Sequence, residues 1–166
     1  MTDQDFLEFV ERKTAQAQSE KAVDWDQRRT DWLQELDHLY KEMEKHLQPY
    51  GIEIKRNLVT LEEEYLGAYE TQNLTFTIGH DKIVANPVGT QLIGASGRVD
   101  LSGPRATLRI VLLGNGKVSG ESGHAMVPNG TEEAGWYIAT TPPPKTTVVQ
   151  FNEDSFRDAI MEVSGG

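Results

Sequence analysis

The chain has 166 residues, 26 of them acidic and 16 basic, for a net charge of −10, and it contains no cysteine. A length of this order suits one domain, or one domain with a helical appendage. The missing cysteines exclude disulfides and thiolate zinc sites, and the acidic surplus repels phosphate backbones unless the basic residues gather on one face.

Basic residues do cluster, at Arg28-Arg29, Lys55-Arg56 and the group Arg98, Arg105 and Arg109. None of these forms a run with interleaved aromatics, so direct nucleic-acid binding is not expected. The opening MTDQDFLEF is acidic and lacks the basic start of an export signal. No apolar run approaches the length that crosses a bilayer. The composition therefore reads as a cytoplasmic protein without membrane contact, with enough apolar residues for a single core.

The first fifty residues follow a helical period. Thr2 with Asp5 three residues on forms an N-terminal cap, and Phe6, Phe9, Val10 and Lys13 continue a loose helical face. A polar stretch follows over residues 14–21. Asp24 with Gln27 repeats the capping pattern. From there Trp25, Trp32, Leu36, Leu39, Met43 and Leu47 recur at spacings of three, four and seven, and Leu33 and Tyr40 widen the stripe. Pro49 and Gly51 end it. This predicts one long helix, preceded by a shorter one or continuous with it.

Beyond Gly51 the period changes to two. Ile52/Ile54, Tyr65-Leu66 to Tyr69, Leu74/Phe76/Ile78, Ile83-Val84, Gln91-Leu92-Ile93, Val99/Leu101 and the run from Leu108 to Leu113 read as short strands. Turn signals separate them at Gly79-His80-Asp81, Asn86-Pro87, Gly103-Pro104 and Asn115-Gly116. Residues 109–113 are apolar on both faces, which marks a central strand covered on both sides. Residues 114–135 read as a long polar loop, Trp136 to Ala139 as a strand, Pro142-Pro143-Pro144 as a stiff connector and Val148 to Phe151 as a last strand. Asn152 or Asp154 then caps a short helix carrying Phe156, Ile160 and Val163. The predicted fold is α+β: a helical hairpin or long helix over residues 1–50, then an antiparallel meander or partly closed barrel with a C-terminal capping helix over 51–166, the whole forming one unit.

Several patterns test for chemistry. Gly94 and Gly97 in LIGASGRVDLSG mimic a dinucleotide-binding turn. That turn must open a helix, whereas Val99 to Leu101 alternates like a strand and ends at Gly103-Pro104. Turn or bulge glycines fit better. His38, Glu42 and His46 are weak metal candidates: zinc or iron accepts these ligands, but they lie in one line on a helix, and His38 and Glu42 sit away from the tryptophan stripe among other charged residues. Gly120-Glu121-Ser122-Gly123-His124 lacks the final glycine and the strand–helix context of a nucleophile elbow. Glu62-Glu63-Glu64 suits a soluble strand edge. Arg98 and Asp100 share a strand face, where Arg105 or Arg109 can pair with Asp100 across the next hairpin. That group is an ion-pair ladder or, in the alternative, an anion site.

No catalytic constellation, cofactor motif or metal centre emerges. The expected function is a non-catalytic cytosolic interaction protein, an accessory or immunity-type subunit that meets another protein or a second copy through its acidic surface and its tryptophan-bearing helix, with Trp25, Trp32, Leu36 and Tyr40 as contact residues. The alternative is a small-molecule or anion-binding domain or enzyme built on Arg98, Asp100, Arg105 and Arg109. A third reading is a regulatory subunit of a nucleic-acid-targeting defence system.

Overall fold

Two helices arise from the N-terminal periodicity in the computed structural model, which describes residues 2–21, 24–90, 95–114, 134–140 and 147–165. The first, α1 (Asp3–Lys21), is capped reciprocally: the Asp5 amide donates to the Thr2 hydroxyl and the Thr2 amide donates to the Asp5 carboxylate. Residues 2–15 are exposed on every side of this helix, Phe6, Leu7, Phe9 and Val10 included. The second, α2 (Trp25–Leu47), starts where the Asp24 carboxylate accepts the Gln27 amide. Its stripe of Trp32, Leu36, Leu39, Tyr40, Met43 and Leu47 is buried throughout.

Beyond α2 the described residues form one sheet of seven strands. They are β1 (Ile54–Glu63), β2 (Gly67–Ile78), β3 (Asp81–Gly89), β4 (Gly97–Ser102), β5 (Thr107–Leu113), β6 (Gly135–Ala139) and β7 (Val148–Gln150), followed by the helix α3 (Glu153–Ser164). Each strand pairs antiparallel with the next, so the sheet is an open meander with β1 and β7 at its edges. The α+β architecture with a C-terminal helix is the one the periodicities predict, with the sheet open rather than closed.

Alternation sets the two faces. Leu74, Phe76, Ile83, Val99, Leu101, Ile110 and Ile138 meet α2 and α3 in one hydrophobic cluster. Val111, Leu113, Tyr137, Ala139 and Val148 form a second cluster on the opposite face. This explains why β5 is apolar on both sides.

The β1–β2 hairpin is the longest pairing. Near its base the even-numbered Leu74 and Phe76 are buried, while near its tip the odd-numbered Tyr69 and Thr71 are. Right-handed twist accumulated along a long two-stranded ribbon turns the other face toward α2. That rotation brings Tyr69 to Trp32.

The structure corrects several local expectations. Asn86-Pro87, expected as a turn, lies inside β3, where Pro87 faces Val99 and the register shifts between Pro87 and Gly89. Proline and glycine are tolerated in a strand where the ladder is irregular. Tyr65-Leu66 belong to the turn between β1 and β2 rather than to a strand. β1 itself runs on through Glu63, beyond the Ile52/Ile54 signal. The expected strand at 91–93, the Gly94 turn, most of the 114–135 loop with Ser122 and His124, and the 142–144 connector lie outside the described residues. No described helix is long and apolar enough to cross a membrane.

Candidate functional site

With its apolar stripe against the sheet, α2 presents two charged flanks. Toward β1, Asp37 and Glu44 hold Arg56: its Nη1 donates to Asp37 at 2.7 Å and its Nε to Glu44 at 2.8 Å. The guanidinium also lies over the Tyr40 ring, 5.5 Å from its centroid. The hydrogen bond from Arg56, and after it the one from Lys41, holds the Asp37 carboxyl below the usual carboxylate range. Burial pushes the Tyr40 phenol well above its ordinary value, against the pull of Arg56.

The other flank carries Glu35, His38, Glu42 and His46, aligned by their three- and four-residue spacing. It borders a cleft of about 620 Å³ closed on the far side by β5, β6, β7 and the start of α3. Leu39, Leu112 and Trp136 make its apolar floor, and Phe151, Asn152 and Glu153 its far wall. The Trp136 indole N–H donates to the Glu35 carbonyl at 3.3 Å, joining β6 to α2. Its ring lies 6.1 Å from that of Trp32. His46 packs on Phe151 and Phe156, and its Nε2 lies 3.7 Å from a Glu42 carboxylate oxygen.

Charge decides what such a cleft attracts. Glu35, Glu42 and Glu153 contribute carboxylates, and among the described residues no lysine or arginine lines the cleft. A cationic group gains from the carboxylates and from the aromatic floor, whereas a phosphate is repelled.

The helical projection places His38 and Glu42 on a free outer face. In the structure His38 is exposed, but Glu42 and His46 are half-buried at the cleft. The difference arises because β7 and the start of α3 rise beside α2, which no projection of a single helix can contain. The three residues do not converge. His38 and His46 are eight positions apart, about 12 Å of helical rise, and among the described residues no group of three histidine or acidic side chains is placed to hold a metal ion.

Trp25 stacks on Tyr65, 4.8 Å between centroids and 11° from parallel. Trp32, Leu36 and Tyr40 are 1–2% exposed within this chain's own core. The stripe is thus occupied by the sheet, and what α2 leaves open is its acidic flank.

The arginine group separates. Arg98 grips Asp100 on its own strand through Nε at 2.8 Å and Nη2 at 3.1 Å. Arg109 faces Asp100 across the β4–β5 ladder, yet its Nη2 is buried without a hydrogen-bond partner. Arg105 stands apart at the β4–β5 turn, where its amide donates to the Val163 carbonyl of α3.

Within the 62–64 triplet, Glu63 gathers hydrogen bonds from the end of β3 and from β2. It accepts the Thr90 amide at 2.7 Å, the Thr90 hydroxyl at 2.8 Å and the Tyr69 hydroxyl. Tyr69 in turn accepts the Trp32 indole N–H. Local sequence gave no signal for this network, nor for Trp136, Phe151 and Glu153 in the cleft, since each depends on partners far along the chain. Compared with protein-family models, curated proteins and solved structures, the chain matches none.

Proposed function

We propose that this chain is a non-catalytic interaction protein, working as an accessory subunit in the cytoplasm, that receives a basic segment of a protein partner in the cleft beside α2. The observation that carries the reading is the lining of that cleft by the described residues: three carboxylates and a tryptophan floor, without a lysine or arginine. The exposed Phe6, Leu7, Phe9 and Val10 on α1 offer a second, apolar contact, and helix-in-groove docking is the mode such a face serves.

A lysine-rich peptide and its fully acetylated form test this by calorimetry and by Trp136 fluorescence. The charged peptide binds, the acetylated one does not, and Glu35→Lys with Glu42→Lys abolishes binding without changing the thermal melt. Equal binding of both peptides, or binding unaffected by the two substitutions, refutes the reading.

One observation favours a second reading, an anion site on the opposite sheet face. A buried guanidinium nitrogen without a partner, as at Arg109, is costly and suits an incoming carboxylate or phosphate oxygen. Thermal stabilisation by phosphate or small carboxylates, lost in Arg109→Met, distinguishes this reading from the first.

A further inference from the structure

Among the described residues the long edge of the sheet is β1, ten residues with no strand on its outer side, whereas the opposite edge, β7, has only three. A free edge presents unpaired amides and carbonyls, and proteins blunt such edges with prolines, bulges or scattered charges. β1 contains no proline, and its ladder with β2 runs without a register shift. Its charges are not scattered but sorted by sign: Lys55 and Arg56 stand near one end, and Glu62 and Glu63 end the strand. At the centre Leu58 is 73% exposed.

An edge that is basic at one end and acidic at the other complements itself when a second copy runs antiparallel to it. From this sorted edge we propose that two copies of the chain pair β1 to β1, joining their sheets into one. A two-fold axis normal to the sheet and passing through one residue sets positions of equal parity opposite each other, on the same side of the local pleat. With Val59 facing Val59 on the axis, Lys55 meets Glu63, Arg56 meets Glu62 and Leu58 meets Thr60. Moving the axis to Leu58 sets Lys55 against Leu61 and Glu62 against Ile54. Moving it to Thr60 sets Glu62 against Leu58. Only the Val59 register matches both charge pairs. In each pair an exposed charge, Lys55 or Glu62, meets a half-buried one that is already positioned: Arg56 is held by Asp37 and Glu44, and Glu63 by Thr90 and Tyr69. The interface is separate from the cleft beside α2, so either proposal can fail alone.

Sedimentation velocity on the full chain over a wide concentration range tests the pairing. The chain sediments as a reversible dimer that weakens with added salt. Because symmetry repeats each charge pair, Glu62→Lys and Lys55→Glu each raise the dissociation constant about tenfold or more. Leu58→Glu does the same, and its exposed position keeps the fold intact by circular dichroism. Amides of β1 also exchange more slowly with deuterium as the concentration rises. A monomer at every concentration overturns the proposal. So does a dimer unmoved by all three substitutions, and a dimer broken only by Phe6→Asp with Phe9→Asp belongs to α1 instead.

Discussion

Tyr69 accepts the indole N–H of Trp32 at 3.0 Å, and that bond ties the tip of the first hairpin to α2. The same phenol donates to Glu63, which also gathers the amide and hydroxyl of Thr90. One tyrosine therefore links helix α2, the β1–β2 hairpin and the end of β3. Tyr69→Phe keeps the ring and strips the buried Trp32 N–H of its acceptor. An unsatisfied buried donor costs about 1–3 kcal/mol. Urea unfolding is expected to show a loss of that size with an unchanged slope. Replacing Trp32 by Phe as well removes the orphaned donor, so the double variant loses less than the sum of the two single ones.

The two buried phenols fix how the fold responds to alkali. Burial raises Tyr40 and Tyr69 above their ordinary value of 10.0, and at Tyr69 the hydrogen bond to Glu63 and its charge push the same way. In the folded state both groups stay protonated where the unfolded chain would release the proton. Below pH 10 neither state ionises them and they add no slope. Above it the unfolded state gains and stability falls. Denaturant midpoints measured across this range should hold level and then drop, with phenolate absorbance from these two residues appearing only as the chain unfolds. Tyr40→Phe or Tyr69→Phe should each flatten part of the fall.

Gly97 faces Leu112 at the start of β4, and a methyl group there would stand 2.3 Å from the Trp32 ring. The indole cannot retreat readily, because its N–H is held by Tyr69 and its ring packs near Trp136. Overpacking a rigid core costs about 1–3 kcal/mol. Gly97→Ala is expected to lie in that range by urea unfolding, and to shift tryptophan emission to longer wavelength as Trp32 is displaced. Trp32→Leu in the same chain should recover much of the loss by vacating the space.

Gly97 also shows what local pattern can and cannot deliver. In LIGASGRVDLSG the glycine spacing imitates a nucleotide turn, and the strand that follows argues for scaffold. That part was legible, because alternation at Val99 and Leu101 is a property of neighbouring residues. The reason for glycine at 97 was not, because it lies in the Trp32 ring, sixty-five positions earlier in the chain. The bulge sits on the facing strand, at Pro87 and Gly89, where a turn was expected. The stripe of α2 was equally legible, and its burial follows from periodicity. Its acidic flank was readable only as charge, since the wall that makes it a cleft comes from β5, β6, β7 and α3. A helical wheel holds one element, and this cleft needs several.

The last helix depends on the residue that caps it. The Asn152 side chain accepts the Ser155 amide at 2.9 Å, and the Ser155 hydroxyl accepts the Asn152 amide at 2.9 Å, so two otherwise unpaired donors are satisfied reciprocally. Phe156 follows immediately, wholly buried, with its ring 5.2 Å from Phe151 and 6.3 Å from His46. Fraying of the first turn would therefore loosen the aromatic cluster under one wall of the cleft. Asn152→Ala removes the acceptor and is expected to cost about 1 kcal/mol, whereas Asn152→Gly, which still tolerates the extended cap conformation, costs only a few tenths. Chemical denaturation should resolve the two. Hydrogen exchange should place the difference in the first turn of α3, and no loss in either variant would mean that the side-chain cap contributes nothing.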